Sequence, residues 1–139
     1  MKPVKVVIPH AFFEQMIAHC RSCLPNEACG ILAGTDTTVT HIFPVKNAEA
    51  SPSRYLMDPR EQFDVMKRMR ETDLYMLAIY HSHPGSPERP SAQDIRRAYY
   101  DETAYVIVSF AEPMPAVKGY RIAAGTAFEI EMEMERKGA

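Results

Sequence analysis

The sequence has few cysteines, no excess of positive charge and no long apolar run. Three cysteines are an odd number in a chain large enough to form its own core, which argues against a disulfide framework. Lysine and arginine number 16 against 18 acidic residues, a net charge of −2, so nucleic-acid binding is disfavoured. The longest uninterrupted apolar stretch, residues 74–80, is far shorter than the roughly 20 residues that span a bilayer. We therefore expect reduced thiols and neither a nucleic-acid nor a membrane partner.

The length and composition fit one folded domain. The chain has 139 residues, of which 46% are apolar, and a single domain is expected to have about 150. Such a chain can bury a sizeable core, so we expect one domain over residues 1–139. The N-terminal segment lacks the hydrophobic region of a signal peptide. A cytoplasmic protein is the resulting expectation.

Apolar spacing and turn residues divide the chain into interleaved strands and helices. Pro9 suits the first turn of a helix, and Pro25 disfavours helical geometry just before it. Asp58 and Pro59 supply a cap and a first-turn proline for a second helix. Strands are predicted at residues 4–8, 27–34, 39–45, 74–80, 105–110, 117–123 and 128–134, and helices at residues 9–24, from 59 onward, and 91–100. The order βαββαβαβββ favours an α/β fold with a mixed sheet flanked by helices.

Two of the cysteines, Cys20 and Cys23, form a C-x-x-C on the predicted first helix. No second C-x-x-C follows, and the surrounding pattern is not the βαβ unit of a redox protein. We interpret the pair as helix packing residues, with a zinc or redox role as the less favoured alternative. The role of Cys29 stays open.

A cluster of metal-ligating residue types follows the apolar run at residues 74–80. Because alternate side chains of extended backbone point the same way, His81 and His83 can reach one metal ion. Asp94 lies eleven residues beyond His83, where a helix folding back could bring its carboxylate to the same point. Two imidazoles and a carboxylate are a catalytic zinc set that leaves one tetrahedral position for water, although iron, cobalt and nickel are not excluded.

The two histidines alone are weak support for a metal site, because histidines on a loop are frequently just solvated. The signal becomes stronger when His81-Ser82-His83-Pro84 is combined with the helix start that follows. Ser91 and Asp94 form an S-x-x-D pattern that resembles a capping box, and capping would orient both side chains. These groups lie at the end of a strand, where α/β sheets usually place ligand sites.

These residues, together with Glu27 upstream, resemble the JAMM motif of the MPN-plus metalloproteases. The resemblance covers nearly the whole chain and implies a JAB/MPN domain, a three-layer, cytidine-deaminase-like α/β fold. It makes His81, His83 and Asp94 the ligands of one zinc ion. It further implies that Glu27 is the general acid/base for a metal-activated water, and that Ser91 donates a hydrogen bond to the oxyanion. Without the resemblance, the favoured interpretation of Glu27 is an ordinary surface carboxylate at the start of a strand.

The resemblance also implies a class of substrate. Family members of this minimal size trim the C-terminus of ubiquitin-like sulfur-carrier proteins or cleave isopeptide bonds to them. We therefore expect a zinc peptidase whose partner is a ubiquitin-like protein with a small-residue C-terminal tail. A noncatalytic MPN scaffold that binds a protein partner is the alternative. A zinc nucleoside deaminase is disfavoured, because the sequence lacks the H-x-E and P-C-x-x-C elements of that class.

Overall fold

The computed structural model describes residues 5–135, which form seven strands and three helices. Their order is the predicted βαββαβαβββ. No helix among the described residues is long and apolar enough to cross a membrane. The bounds are β1 Lys5–Ile8, α1 His10–Ser22, β2 Cys29–Thr35, β3 Thr38–Val45, α2 Pro59–Glu71, β4 Tyr75–His83, α3 Ala92–Arg96, β5 Ala104–Ser109, β6 Ala116–Ala123 and β7 Thr126–Met134.

The strands form one mixed sheet that closes into a barrel in the order β1-β3-β2-β4-β5-β6-β7. β1 runs parallel to both β3 and β7, and β4 runs parallel to β5. The other four pairings are antiparallel. The mixed α/β architecture is confirmed. The closure was not predicted, because it depends on β1 pairing with the far end of the chain, which local apolar patterns do not reveal.

The two longer helices pack against different faces of the sheet. α1 packs against one core cluster, composed of Val6, Ile8, Phe13, Met16, Ile17, Cys20, Ala28, Leu32, Val39, Leu77, Ala78, Tyr80, Ala104, Val106, Val108, Val117 and Ile130. α2 packs against the other, composed of Cys29, Ile31, Ala33, Val45, Met57, Val65, Met69, Ile79, Tyr105, Ile107, Tyr120 and Ile122. Successive residues of β5 alternate between the clusters from Ala104 to Val108, as a strand buried on both faces requires.

Two element boundaries near the histidines differ from the sequence prediction. β4 continues to His83, so the two histidines lie within the strand and not beyond it. The reason is pairing on both sides, because His81 lies opposite Cys29 of β2 and Ile107 of β5. The third helix ends at Arg96 and not near residue 100, and the backbone N–H of Tyr100 donates instead to the Tyr105 hydroxyl at 3.0 Å.

The strands β2 and β4 approach each other closely at Gly30, which lies opposite Tyr80. The Tyr80 ring is fully buried, and its hydroxyl lies 2.6 Å from His19 Nδ1. A Cβ atom built on Gly30 would lie 2.4 Å from three atoms of the tyrosine side chain. Glycine is therefore required by the space available and not by an unusual backbone angle.

The cysteines lie in or beside the core as free thiols. Cys20 is buried on α1, Cys23 follows that helix, and Cys29 is buried in β2. Burial raises the pKa of the Cys29 thiol to about 12, which makes it a poor nucleophile or metal ligand at neutral pH. These positions agree with the packing role predicted for Cys20 and Cys23.

Candidate metal centre

Three side-chain atoms converge on one point at the end of β4. His81 Nε2 and His83 Nε2 are 3.2 Å apart, and Asp94 Oδ2 lies 3.1 Å from the first and 3.0 Å from the second. Both histidines are buried, and the Asp94 side chain is 8% exposed. The three predicted ligands are thus brought together as the only such group among the described residues with ligand atoms within 4.8 Å of one another.

The backbone places these ligands in two different ways. In β4, the alternation of side chains turns His81 and His83 to the same face, on the side of α2. Asp94 is placed by a capping box, in which its backbone N–H donates to Ser91 Oγ at 3.0 Å while its Oδ2 accepts from the Ser91 N–H at 2.9 Å. Strand alternation and helix capping are both local rules, so the sequence predicts them.

The hydrogen bonding of the two rings differs. His83 Nδ1 lies 2.7 Å from the carbonyl oxygen of Pro87, and since a carbonyl can only accept, Nδ1 carries the proton and donates it. This leaves a lone pair on Nε2 of the neutral ring, as metal ligation requires. His81 Nδ1 is buried and has no hydrogen-bond partner within residues 5–135. The His81 ring is instead held by stacking on Tyr55, with ring centroids 4.5 Å apart.

The charges at the centre favour an ionised Asp94 beside a neutral His81 ring. Burial opposes the charged form of Asp94, but its contacts with the Nε2 atoms of His81 and His83 hold the pKa of its carboxyl well below the usual range. Burial lowers the pKa of His81 and so favours its neutral form. Burial acts to lower the pKa of His83, but contacts with Asp94 and with the Pro87 carbonyl raise it overall. An anionic oxygen beside an imidazole that retains its lone pair is the donor chemistry that a divalent cation needs.

The separations of these three atoms fit a tetrahedral zinc ion. Zinc bonds of 2.0–2.1 Å to nitrogen and oxygen place two tetrahedral ligands about 3.3 Å apart. The three observed separations, 3.0 to 3.2 Å, are close to that value. The protein offers three ligands to the ion, a number typical of catalytic zinc sites, which keep the fourth position for water or substrate.

Glu27 lies just before β2, beside this centre. It is 4% exposed, and burial raises the pKa of its carboxyl to about 8, while the nearby charge of His83 acts in the opposite direction. Its Oε1 atom has no hydrogen-bond partner in the described part of the chain. A buried carboxyl oxygen without a partner is costly, by about 1–3 kcal/mol, and a proton-transfer role is one explanation for it. The surface carboxylate interpretation of Glu27 is therefore wrong.

Ser91 differs from Glu27 in being exposed to solvent. Its Oγ accepts the capping hydrogen bond from the N–H of Asp94. A hydroxyl that accepts one hydrogen bond still carries a proton that it can donate. Ser91 therefore lies next to the candidate ligand Asp94, with a hydroxyl donor available.

Residues 46–58 between β3 and α2, which we call the bridging loop, contribute to the site, although their sequence does not indicate it. Tyr55 of this loop stacks on His81, and Asn47 Nδ2 donates to the carbonyl oxygen of Glu27 at 3.1 Å. The composition of the segment predicts only a surface loop. Its contacts join residues 20 or more positions apart, and no spacing rule identifies such pairs.

The site and a comparison with known proteins together assign the chain to a family. A buried two-histidine, one-carboxylate group beside a buried glutamate, on a mixed sheet with helices packed against different faces, defines a metal-site domain of the JAB/MPN class. Residues 9–122 match the family described as prokaryotic homologues of the JAB domain, and the chain belongs to that family. The resemblance to JAMM metalloproteases is confirmed.

Three curated relatives are named for cleavage reactions. A CysO-cysteine peptidase from Mycobacterium tuberculosis is 38% identical over 89% of this chain and 87% of its own length. A probable TtuB-protein conjugate cleaving protease from Thermus thermophilus is 37% identical over 72% of this chain and 67% of its own. A desampylase from Haloferax volcanii is 39% identical over 69% of this chain and 74% of its own.

Solved structures agree on the fold. A protein from Desulfitobacterium hafniense superposes with a TM-score of 0.84 at 39% identity, covering 95% of this chain and 94% of that one. A JAB1/MPN domain protein from Archaeoglobus fulgidus gives a TM-score of 0.64 at 16% identity, covering 94% and 98% of the two chains. The second likeness shows the fold alone.

Proposed function

We propose that the protein is a zinc-dependent peptidase or isopeptidase that hydrolyses an amide bond at the C-terminus of a ubiquitin-like protein. The observation that carries the proposal is the convergence of His81, His83 and Asp94 beside the buried carboxyl of Glu27. Three relatives named for peptidase, conjugate-cleaving or desampylase activity support it. The ubiquitin-like partner with a small-residue tail follows from the resemblance to minimal JAMM enzymes.

Glu27 is the proton carrier in this proposal. Its carboxylate takes a proton from the attacking water, and the water oxygen then bonds to the amide carbon. The same carboxyl group returns that proton to the amine nitrogen as the C–N bond breaks. Burial makes the group suited to both steps, because a pKa raised to about 8 lies near neutral pH.

His81, His83 and Asp94 would hold the zinc ion. When bound there, zinc would polarise the amide carbonyl, lower the pKa of a water molecule and favour the ionised form of Glu27. The Nδ1–H bond from His83 to the Pro87 carbonyl keeps one ring in the tautomer that ligation needs. Ser91 would donate its hydroxyl proton to the carbonyl oxygen as negative charge develops on it, a type of contact whose loss costs about 3–4 kcal/mol in other hydrolases.

Three wider expectations belong to the same proposal. The chain forms one domain over residues 1–139, its fold is related to the three-layer fold of the cytidine deaminases, and it works in the cytoplasm. The mixed sheet with helices on different faces is compatible with that relationship.

Metal content and cleavage test the proposal together. The wild type, the His83→Ala variant and the His41→Ala variant are loaded with zinc, freed of excess metal, and analysed by plasma emission spectrometry. Each is then incubated with a ubiquitin-like carrier that has one extra C-terminal residue, and with a carrier joined to a lysine side chain. His41 is the matched control, because it is exposed on β3 and bonds only to Thr40 among the described side chains.

We expect about one zinc ion per chain in the wild type and in His41→Ala, and loss of both zinc and cleavage in His83→Ala. Cleavage of one carrier and not the other distinguishes a peptidase from an isopeptidase. Equal zinc content in all three proteins, or cleavage that persists without metal, would contradict the proposed centre. Zinc binding without cleavage of either carrier would favour the noncatalytic scaffold.

A further inference from the structure

The bridging loop is organised around the side chain of Asn47. Its Oδ1 accepts from the backbone N–H groups of Glu49 and Leu56, each at 3.0 Å. Its Nδ2 donates to the carbonyl oxygen of Glu27 at 3.1 Å, and the Glu27 N–H donates to the carbonyl oxygen of Ser51 at 2.8 Å. Both backbone polar groups of Glu27 are thus bonded to the bridging loop.

The same loop also supports a metal ligand. The Tyr55 ring stacks on His81, with planes inclined by 25° and centroids 4.5 Å apart. The backbone carbonyl of Tyr55 accepts from Arg97 Nη1 at 2.9 Å. The residue that packs on the histidine is therefore tied through its own backbone to the end of α3.

Arg97 joins the loop to the helix that carries Asp94. Its Nη1 donates to Glu49 Oε1 at 3.0 Å and its Nη2 to Glu49 Oε2 at 3.4 Å. With the amide oxygen of Gln93 turned toward the guanidinium, that oxygen accepts from Nη2 at 3.0 Å and from Nε at 3.1 Å. Every guanidinium nitrogen is thereby engaged, and Arg97 is the C-cap residue of α3, three positions after Asp94.

We propose that Arg97 is a positioning residue for the hydrolytic site, which acts by fixing the bridging loop to α3 and so setting Glu27 and His81 relative to Asp94. The inference rests on the proposed function for its catalytic consequence. Arg97 itself touches none of the reacting groups. It acts through its bonds to Glu49 and to the Tyr55 carbonyl. Asn47 links the loop to Glu27, because its side chain accepts from the Glu49 N–H and donates to the Glu27 carbonyl.

The chemistry of the contact explains why arginine is required. Its rigid fork of donors reaches two oxygens of Glu49 and a backbone carbonyl together, whereas a lysine ammonium is a point charge on a flexible stem. The pKa of the Glu49 carboxyl is held below its usual value by hydrogen bonding to Arg97, so the contact stays ionic at neutral pH. A bidentate pair fixes the orientation of the guanidinium and the carboxylate as well as the distance between them, so it can hold the loop in one position relative to α3.

The test compares Arg97→Gln and Arg97→Lys with Arg96→Gln in the zinc-loaded protein. Arg96 is the matched control, since it lies on the same helix, is exposed, and loses the same charge. Hydrogen exchange of the Glu27 and Leu56 amides is followed by NMR, and kcat and KM are measured on the carrier that the wild type cleaves.

In Arg97→Gln, we expect both amides to exchange at least about tenfold faster, because the loop opens locally. We also expect kcat to fall about ten- to a hundredfold with little change in KM and with one zinc ion retained. The exchange rates and kcat of Arg97→Lys are expected to lie between those of Arg97→Gln and the wild type. Those of Arg96→Gln are expected to equal the wild-type values. Glu49→Gln, which removes the charge of the partner of Arg97, is expected to raise the exchange rates and lower kcat in the same way.

Two results would overturn the inference. If the Glu27 and Leu56 amides exchange as slowly in Arg97→Gln as in Arg96→Gln, the guanidinium does not fix the loop. If they exchange faster while kcat equals that of Arg96→Gln, the loop is anchored but catalysis does not need the anchor. The exchange measurement needs no substrate, so a failure of the proposed function, in which the wild type cleaves no carrier, is distinguishable from a failure at Arg97.

Discussion

Replacement of Gly30 by alanine tests the close approach of β2 and β4 that sets the base beside the ligands. The added Cβ would lie 2.4 Å from Cε2, Cζ and Oη of Tyr80, far inside van der Waals contact. The ring is completely buried and cannot turn into solvent. It must shift by about 1 Å or the strands must separate, and either change loosens the 2.6 Å contact between its hydroxyl and His19.

The expected cost has two parts. Overpacking of a well-packed core costs about 1–3 kcal/mol, and loss of one hydrogen bond adds about 0.5–1.5 kcal/mol. We therefore expect Gly30→Ala to lower the free energy of unfolding by about 3 kcal/mol. For a chain of this length, that corresponds to a fall in Tm of about 10 °C, taking about 2.1 cal/mol/K of unfolding entropy per residue.

The assay is urea unfolding at neutral pH, with Gly85→Ala as the matched control. A Cβ on Gly85 meets no atom within 4 Å, so this change should alter stability by less than about 1 kcal/mol. A double-mutant cycle with Tyr80→Leu, which removes the obstructing ring, should reduce the cost of Gly30→Ala to below about 1 kcal/mol. The reasoning is refuted if Gly30→Ala costs no more than Gly85→Ala, or costs the same in both backgrounds.

Three other changes separate chemistry from stability. Glu27→Gln keeps the shape of the side chain and leaves the proposed zinc ligands intact. We therefore expect unchanged zinc content and a fall in kcat of about 10²–10⁴-fold. Loss of zinc as well would contradict the role of Glu27 as proton carrier. Ser82→Ala removes the buried Oγ that accepts from the Ala28 N–H at 2.8 Å. Urea unfolding should therefore show a free energy of unfolding lower by about 1–3 kcal/mol. An unchanged value would mean that the Ala28 N–H finds another partner. Asp58→Ala removes the cap of α2, which accepts from the Arg60 N–H at 3.3 Å, so urea unfolding should show a stability loss of about 0.5–2 kcal/mol. The backbone N–H of residue 58 keeps its bond to the Lys46 carbonyl, so we expect an unchanged kcat, and a fall would show that this cap also supports the site.

The convergence of the candidate metal ligands was predictable because local rules place them. Two residues of one strand, separated by a single residue, share a face, and an S-x-x-D pattern at a helix start orients Asp94. The sequence order of strands and helices follows from the same short-range signals. Glu27 was different, since only the family resemblance singled it out, and its burial comes from the folded structure.

The parts that sequence reasoning missed depend on contacts between distant residues. Closure of the sheet requires β1 to pair with β7, at the opposite end of the chain. The Arg97 contact with Glu49 spans 48 positions, and nothing in the composition of either segment indicates it. The α3 helix ends at Arg96, and four residues beyond that end the Tyr100 N–H donates to the Tyr105 hydroxyl of β5. Tertiary contacts decide such features and local propensity does not.

Two sets of backbone hydrogen bonds support Glu27, the candidate base, and together they keep its buried carboxyl beside the candidate ligands. On one side, Ala28 is bonded to Ser82 twice, through Oγ at 2.8 Å and through the Ser82 N–H to its carbonyl oxygen at 3.1 Å. Ser82 lies between the two histidines, so these bonds fix the residue that follows Glu27 to the strand that carries them. On the other side, the bridging loop bonds both backbone groups of Glu27. Proton transfer needs donor and acceptor within hydrogen-bond distance, and two independent supports keep a side chain there better than one.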